Sequence, residues 1–126
     1  MVFKVIIAGT RSFNDYETLK KYCNHVLKNK TDIEIVCGMV RGADLLGKRY
    51  GEEKGYKIAE FPADWDNFGK SAGYKRNEEM AKYADACIIF WDGESKGTKH
   101  MIDLAIKYNL KLKIFNYGRN TEINFG

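Results

Sequence analysis

Short apolar runs alternate along the chain with segments whose apolar positions recur every three to four residues. The runs are Val2–Ala8, Ile33–Cys37, Lys57–Phe61, Ala86–Trp91 and Lys111–Phe115. Each is short and bounded by polar or glycine-bearing turns, which predicts strands. The first, second and fourth are almost wholly apolar, as expected of central strands in a parallel sheet covered on both faces. Lys111–Phe115 alternates apolar with charged and suits an edge.

Helical spacing fills the intervals. Leu19, Tyr22, Cys23, Val26 and Leu27 form one stripe, and Asn14 followed by Glu17 has the spacing of a capping box at its start. Ala43, Leu46, Gly47 and Tyr50 form a second stripe. A third helix is predicted over Lys75–Ala84, with Met80, Tyr83 and Ala84 inward. A fourth begins near Gly97-Thr98 and carries Met101, Leu104, Ala105 and Tyr108. Five strands and four helices in alternation predict a three-layer, Rossmann-like, doubly wound α/β sheet with right-handed crossovers and strand order 3-2-1-4-5. The 126 residues suffice for one domain. Residues 116–126 read as a polar, loosely ordered tail.

Composition narrows the functional classes. A hydrophobic content of 44% with 13% aromatics is that of a packed globular protein. The net charge of +4 is mild and scattered, and no run resembles a basic nucleic-acid arm. No apolar stretch approaches the roughly 18 residues of a membrane span, and Val2–Ala8 is too short for a signal peptide. Cys23, Cys37 and Cys87 lack CxxC spacing and sit in apolar segments, so they read as buried free thiols in a reducing cytoplasm. Neither His25 nor His100 has partners at metal-ligand spacing, and no G-x-G-x-x-G occurs, so no metal or cofactor is expected.

In a doubly wound sheet, ligands bind at the carboxyl ends of the strands where the order reverses, here between strands 1 and 4. The loops there are Gly9-Thr10-Arg11-Ser12 and Asp92-Gly93 through Gly97-Thr98. Small residues, hydroxyls and a helix start suit a phosphate. Beside them runs Gly38 through Arg41-Gly42 to Asp44, two glycines around an arginine before a helix. Asp44 suits either the helix dipole or a ribose hydroxyl. Gly42 to Lys48 nearly spells a P-loop, but Arg49 stands where the magnesium-binding hydroxyl belongs. The long connection 62–74 carries Trp65, Phe68 and Tyr74 and reads as a lid whose aromatics stack on a base, with Asp64 for a sugar or amino group. Arg76 and Asn77 open the third helix, where a cation opposes the dipole unless an anion shares the site. His100, in the first turn of the fourth helix, is close enough to contact a ligand.

Assembled, these segments resemble a known group. The run Arg76-Asn-Glu-Glu-Met80, then Asp85, an apolar strand, and a glycine loop ending Gly97-Thr98 is similar to the SLOG superfamily. That superfamily includes the Lonely Guy phosphoribohydrolases and the DprA DNA-processing proteins. G-T-R-S, R-G-A-D, P-A-D-W-x-x-F-G-K-x-A-G-x-x-R-N and W-D-G-x-S-K-G-T-K-H-M-I resemble its small YspA-like branch, known from bacteria and phages, over residues 3–115. The resemblance implies a nucleotide-binding fold, often homodimeric. In the phosphoribohydrolases the arginine matching Arg76 and a glutamate in G-T-x-x-E act on an N-glycosidic bond, so Arg76 is the best catalytic candidate. Here the glutamate position is Met101, whose thioether neither takes a proton nor acts as nucleophile. The expectation is therefore a module that binds a nucleotide-like phosphorylated small molecule, with an N-glycosidic hydrolase or transferase as the alternative. Single-stranded nucleic acid is the partner least expected.

Overall fold

The apolar run that opens the chain becomes the centre of the sheet. In the computed structural model, which describes residues 1–118 and 121–125, β1 (Phe3–Gly9) lies between β2 (Ile33–Cys37) and β4 (Ala86–Trp91). β3 (Lys57–Glu60) pairs outside β2, and β5 (Lys111–Asn116) outside β4, all in parallel. The order 3-2-1-4-5 is the one the alternation predicts. A sixth strand, β6 (Thr121–Phe125), pairs antiparallel with β5. The segment expected to be a loose tail thus covers the edge of β5, whose open ladder of N–H and C=O groups accepts it. Residues 119, 120 and 126 of that tail lie outside the described residues.

The two faces of β1 are read off its alternation. Val5 and Ile7 point to a layer formed by α1 (Tyr16–Leu27) and α2 (Ala43–Lys54), with Leu19, Tyr22, Cys23 and Tyr50 in that core. Ile6 and Ala8 point to the opposite layer, α4 (Ala72–Tyr83) and α5 (Lys96–Lys107), with Met80, Met101 and Ile102. All three cysteines are buried and free, as read from their apolar settings. No helix among the described residues is long and apolar enough to cross a membrane.

Two local readings shift, the cap of α1 and the start of α4, and the helical placement of Gly47 holds. The cap of α1 is Asp15, not Asn14: its carboxylate accepts from Thr18 N at 3.1 Å and from Thr18 Oγ1 at 2.6 Å. Gly47, part of the near P-loop pattern, sits inside α2, where a Cβ would lie 2.5 Å from Ile7 Cγ2. Its role is close packing of helix on sheet. The long connection after β3 folds into α3 (Trp65–Phe68) and a single 3-10 turn, Gly69–Ser71, so α4 starts at Ala72 rather than Lys75.

Candidate functional site

The loops at the carboxyl ends of β1, β2 and β4 are locked to one another by backbone contacts that only small residues permit. A Cβ at Gly9 would lie 2.0 Å from Phe90 O, so β1 leaves the sheet pressed against β4. Gly42 adopts φ of 87°, and a Cβ there would meet the carbonyl oxygens of Thr10 and Arg11 at 2.5 Å. The loop after β2 therefore lies directly on the loop after β1. Thr10 N donates to Phe90 O at 3.0 Å, and Thr10 Oγ1 accepts from Asp92 N at 3.2 Å. Asp92 Oδ1 in turn accepts from Glu94 N and Ser95 N, both at 2.8 Å. Ser95 caps α5, accepting from Thr98 N at 3.4 Å and Thr98 Oγ1 at 3.0 Å. Thr10 and Asp92 thus spend their polar atoms on holding the loops.

These loops, α3 and the starts of α4 and α5 enclose a cavity of about 220 Å³. From the predicted set, Gly9, Arg11, Asp44 and Trp65 line it, with Arg76, Asn77, Gly97 and Thr98 opposite. Lys70, Tyr74 and Ser95 join them, and Met80 and Met101 form apolar wall. Lys70 and Ser95 fall inside the P-A-D-W-x-x-F-G-K and W-D-G-x-S-K-G-T blocks without standing out there as ligand contacts, and Ser95, three residues before Thr98, also carries an ordinary N-cap spacing. Trp65 and Tyr74 stand half exposed at the rim.

Arg76 is a fixed cation on this wall. It is 8% exposed, and its Nη1 donates to Gly38 O while Nε donates to Asn77 Oδ1 at 3.0 Å. A guanidinium has five N–H groups, so donors remain for a ligand. With α4 starting at Ala72, Arg76 lies in the second turn. Its placement against the helix dipole, expected from sequence, is thereby weakened, and burial is what makes it conspicuous. Burial lowers its pKa from the ordinary arginine value, and the nearby charge of Asp44 opposes that. Asp44, 6% exposed, faces the same space. Burial pushes its carboxyl up to about 7, against the pull of Arg76, the backbone N–H groups of Gly9 and Val40, and Arg11.

The remaining predicted residues lie outside the cavity wall. Gly38 supports Arg76 through its carbonyl. Asp64 caps α3, accepting from Asn67 N at 3.2 Å and Asn67 Nδ2 at 2.7 Å, so its carboxylate is occupied away from the proposed sugar. Ser12 lines a separate depression beside Phe13 and Asp15. Arg41 is exposed on its loop. Gly93 and His100 line a neighbouring groove of about 430 Å³.

The catalytic question turns on Met101. It is 2% exposed and sits where the glycosidase pattern needs a carboxylate. Glu78 accepts from Tyr108 Oη at 3.0 Å, Asp103 pairs with Lys99 at 2.7 Å, and Glu94 faces the outer groove. Among the described residues, the carboxyl group on the cavity wall is that of Asp44.

Similarity to known proteins follows this geometry. The chain is 31% identical over 122 residues to the Gene 61 protein of Mycobacterium phage D29, covering 91% of this chain and 96% of that one. Its fold matches DNA processing protein A from Helicobacter pylori, studied for its single-stranded DNA binding mode, with a TM-score of 0.64 at 21% identity. That match covers 89% of this chain, which spans 64% of the neighbour's length. A family model described as YspA, cpYpsA-related SLOG family matches residues 3–68. With the family pattern, the full-length phage relative and the fold in agreement, the chain belongs to the YspA, cpYpsA-related SLOG family.

Proposed function

We propose that the protein binds a nucleotide or nucleotide-derived phosphate in the cavity at the carboxyl edge of the sheet. The observation that carries the reading is Arg76: a buried guanidinium, held by Gly38 O and Asn77, with spare donors beside the first turn of α5. A fixed cation and a helix start facing one small cavity suit a phosphate better than an apolar ligand. Arg11 and Lys70 add charge, and Trp65 supplies an aromatic face for a base. A homodimer and a cytoplasmic setting belong to the same reading, and light scattering of the purified protein weighs the dimer directly. The test is thermal unfolding with a panel of nucleotides. A rise in Tm with at least one of them, lost in Arg76→Ala, supports the reading. No shift across the panel in the wild type would remove it.

Two further readings each have one supporting observation. The fold neighbour's described single-stranded DNA binding means that nucleic acid is not set aside as a partner. A strand end presents the same phosphate and base, and a steep fall of oligonucleotide affinity with salt would favour it. Asp44, a cavity carboxyl pushed up to about 7, favours N-glycosidic cleavage with Asp44 in place of the absent glutamate. Free base released from nucleoside monophosphates, and lost in Asp44→Asn, would establish that activity.

A further inference from the structure

The groove beside the cavity is built from different chemistry. Tyr74, Trp91, Lys96, Lys99 and His100 line it, together with the carboxylates of Glu94 and Asp103. Tyr74 also lines the cavity, so the two spaces share a wall. That wall is ordered. The Tyr74 and His100 rings meet edge to face at 4.5 Å between centroids. Behind them Asn77, a cavity residue, lies with Nδ2 at 3.2 Å from His100 Nδ1.

The hydrogen bonds assign the histidine's tautomer. Arg76 Nε donates to Asn77 Oδ1, which turns the amide nitrogen toward His100. An amide nitrogen only donates, so His100 Nδ1 accepts and the ring proton resides on Nε2. Burial holds the imidazole below its ordinary pKa, in keeping with this neutral form, while the charges of Asp103 and Glu78 oppose it. A neutral ring keeps a flat face and one N–H donor.

Size adds the second argument. About 220 Å³ lies below the range of roughly 300–1,000 Å³ usual for small-molecule pockets. The adjoining groove of about 430 Å³ extends it past the first turn of α5. Each space offers an aromatic surface, Trp65 in the cavity and Trp91 in the groove, with Tyr74 between them. The groove pairs these rings with lysines and carboxylates. Such a mixture suits a nucleoside, with its flat base, hydroxyls and linking phosphate, better than a bare anion.

We propose that the groove is a second subsite, and that the natural ligand consists of two nucleoside units joined through phosphate, one unit in the cavity and one in the groove. This rests on the nucleotide-binding reading of the cavity. The linking phosphate passes near Lys96 and the His100 edge, and the second base lies against Tyr74.

The experiment is calorimetric titration of the whole chain with AMP, with the phosphodiester dinucleotide pApA and with the pyrophosphate-linked diadenosine diphosphate. At least one dinucleotide is expected to bind about tenfold more tightly than AMP, the gain of one added stacked base. Which of the two gains identifies the linkage. In Lys96→Ala, a surface change, and in His100→Ala the ratio of dinucleotide to AMP affinity is expected to fall toward one. Circular dichroism confirms that each variant is folded. Equal affinities for AMP and both dinucleotides in the wild type would overturn the second subsite while leaving the cavity reading intact. A wild-type gain that survives both substitutions also overturns it. Absence of binding by all three ligands overturns the cavity reading and this inference with it.

Discussion

Asp44 and Arg76 converge on Gly38. A Cβ placed there would lie 2.6 Å from Asp44 Oδ2 and 3.0 Å from Arg76 Nη1. The absence of a side chain is what allows a buried carboxyl and a buried guanidinium to share one corner of the cavity. Gly38→Ala is therefore expected to displace both groups. The displaced atoms are side-chain ends rather than backbone, so the stability cost should be about 1 kcal/mol. Loss of the ligand-induced rise in Tm should be far larger than that cost implies. A variant that keeps full ligand response would show that this corner does not contact the ligand.

The Asp44 carboxyl sets a pH dependence. Its folded pKa, about 7, lies above the ordinary 3.8. Between those values the folded state holds a proton that the unfolded state has lost. This group's contribution therefore falls as pH rises from about 4 to about 7, with a slope approaching 1.4 kcal/mol per pH unit, and is flat beyond. Subtracting the urea stability of Asp44→Asn from that of the wild type across pH 4–9 isolates it. A difference that does not change with pH would contradict the burial of a titrating carboxyl there.

The same proton affects ligand affinity. Protonating Asp44 removes a negative charge that faces Arg76. A phosphodiester ligand, whose charge is constant over this range, should bind more tightly at pH 6 than at pH 8. Asp44→Asn should bind equally at both. Titrations at the two pH values make the comparison.

Met101 is expected to leave the protein without the glycosidic activity of the phosphoribohydrolases it resembles. Incubation of the wild type with nucleoside monophosphates should release no free base above the buffer rate, read by chromatography. Met101→Glu would place a carboxylate at a position 2% exposed, beside Met80. Burying that charge should cost on the order of 3 kcal/mol in thermal or urea unfolding. Base release by the wild type would reassign the chemistry to Asp44.

Gly9 tests the frame itself. Its missing Cβ lies against the backbone of Phe90, which has no rotamer by which to yield. Gly9→Ala should destabilise the protein by about 3 kcal/mol or more, because β1 and β4 must separate where the site is built. A melting temperature within a few degrees of wild type would show that the strands adjust.

Apolar patterning determined five parallel strands, the four helices between them and the order 3-2-1-4-5. A fully covered parallel strand must be apolar on both faces, and Val2–Ala8, Ile33–Cys37 and Ala86–Trp91 announce that in one dimension. The same reasoning brought Gly9, Arg76 and Gly97-Thr98 to one sheet edge, because the topology that follows from alternation has a single reversal point. Family motifs supplied the remaining identity of that edge.

Tertiary structure decided what each polar residue does there. Asp64, Thr10 and Asp92 carry atoms suited to a ligand, yet their partners prove to be Asn67, the Asp92 amide, and the Glu94 and Ser95 amides. A hydrogen-bonding group looks the same in sequence whether its partner is a ligand or a neighbouring loop. β6 was illegible because its antiparallel pairing with β5 is made by backbone N–H and C=O groups, which every residue but proline carries and which leave no mark in the side-chain pattern. The burial of Asp44 and the link from Arg76 through Asn77 to His100 depend on residues brought together across α2, α4 and α5. Periodicity reports which side of an element is covered. Only the packed fold reports which atoms meet there.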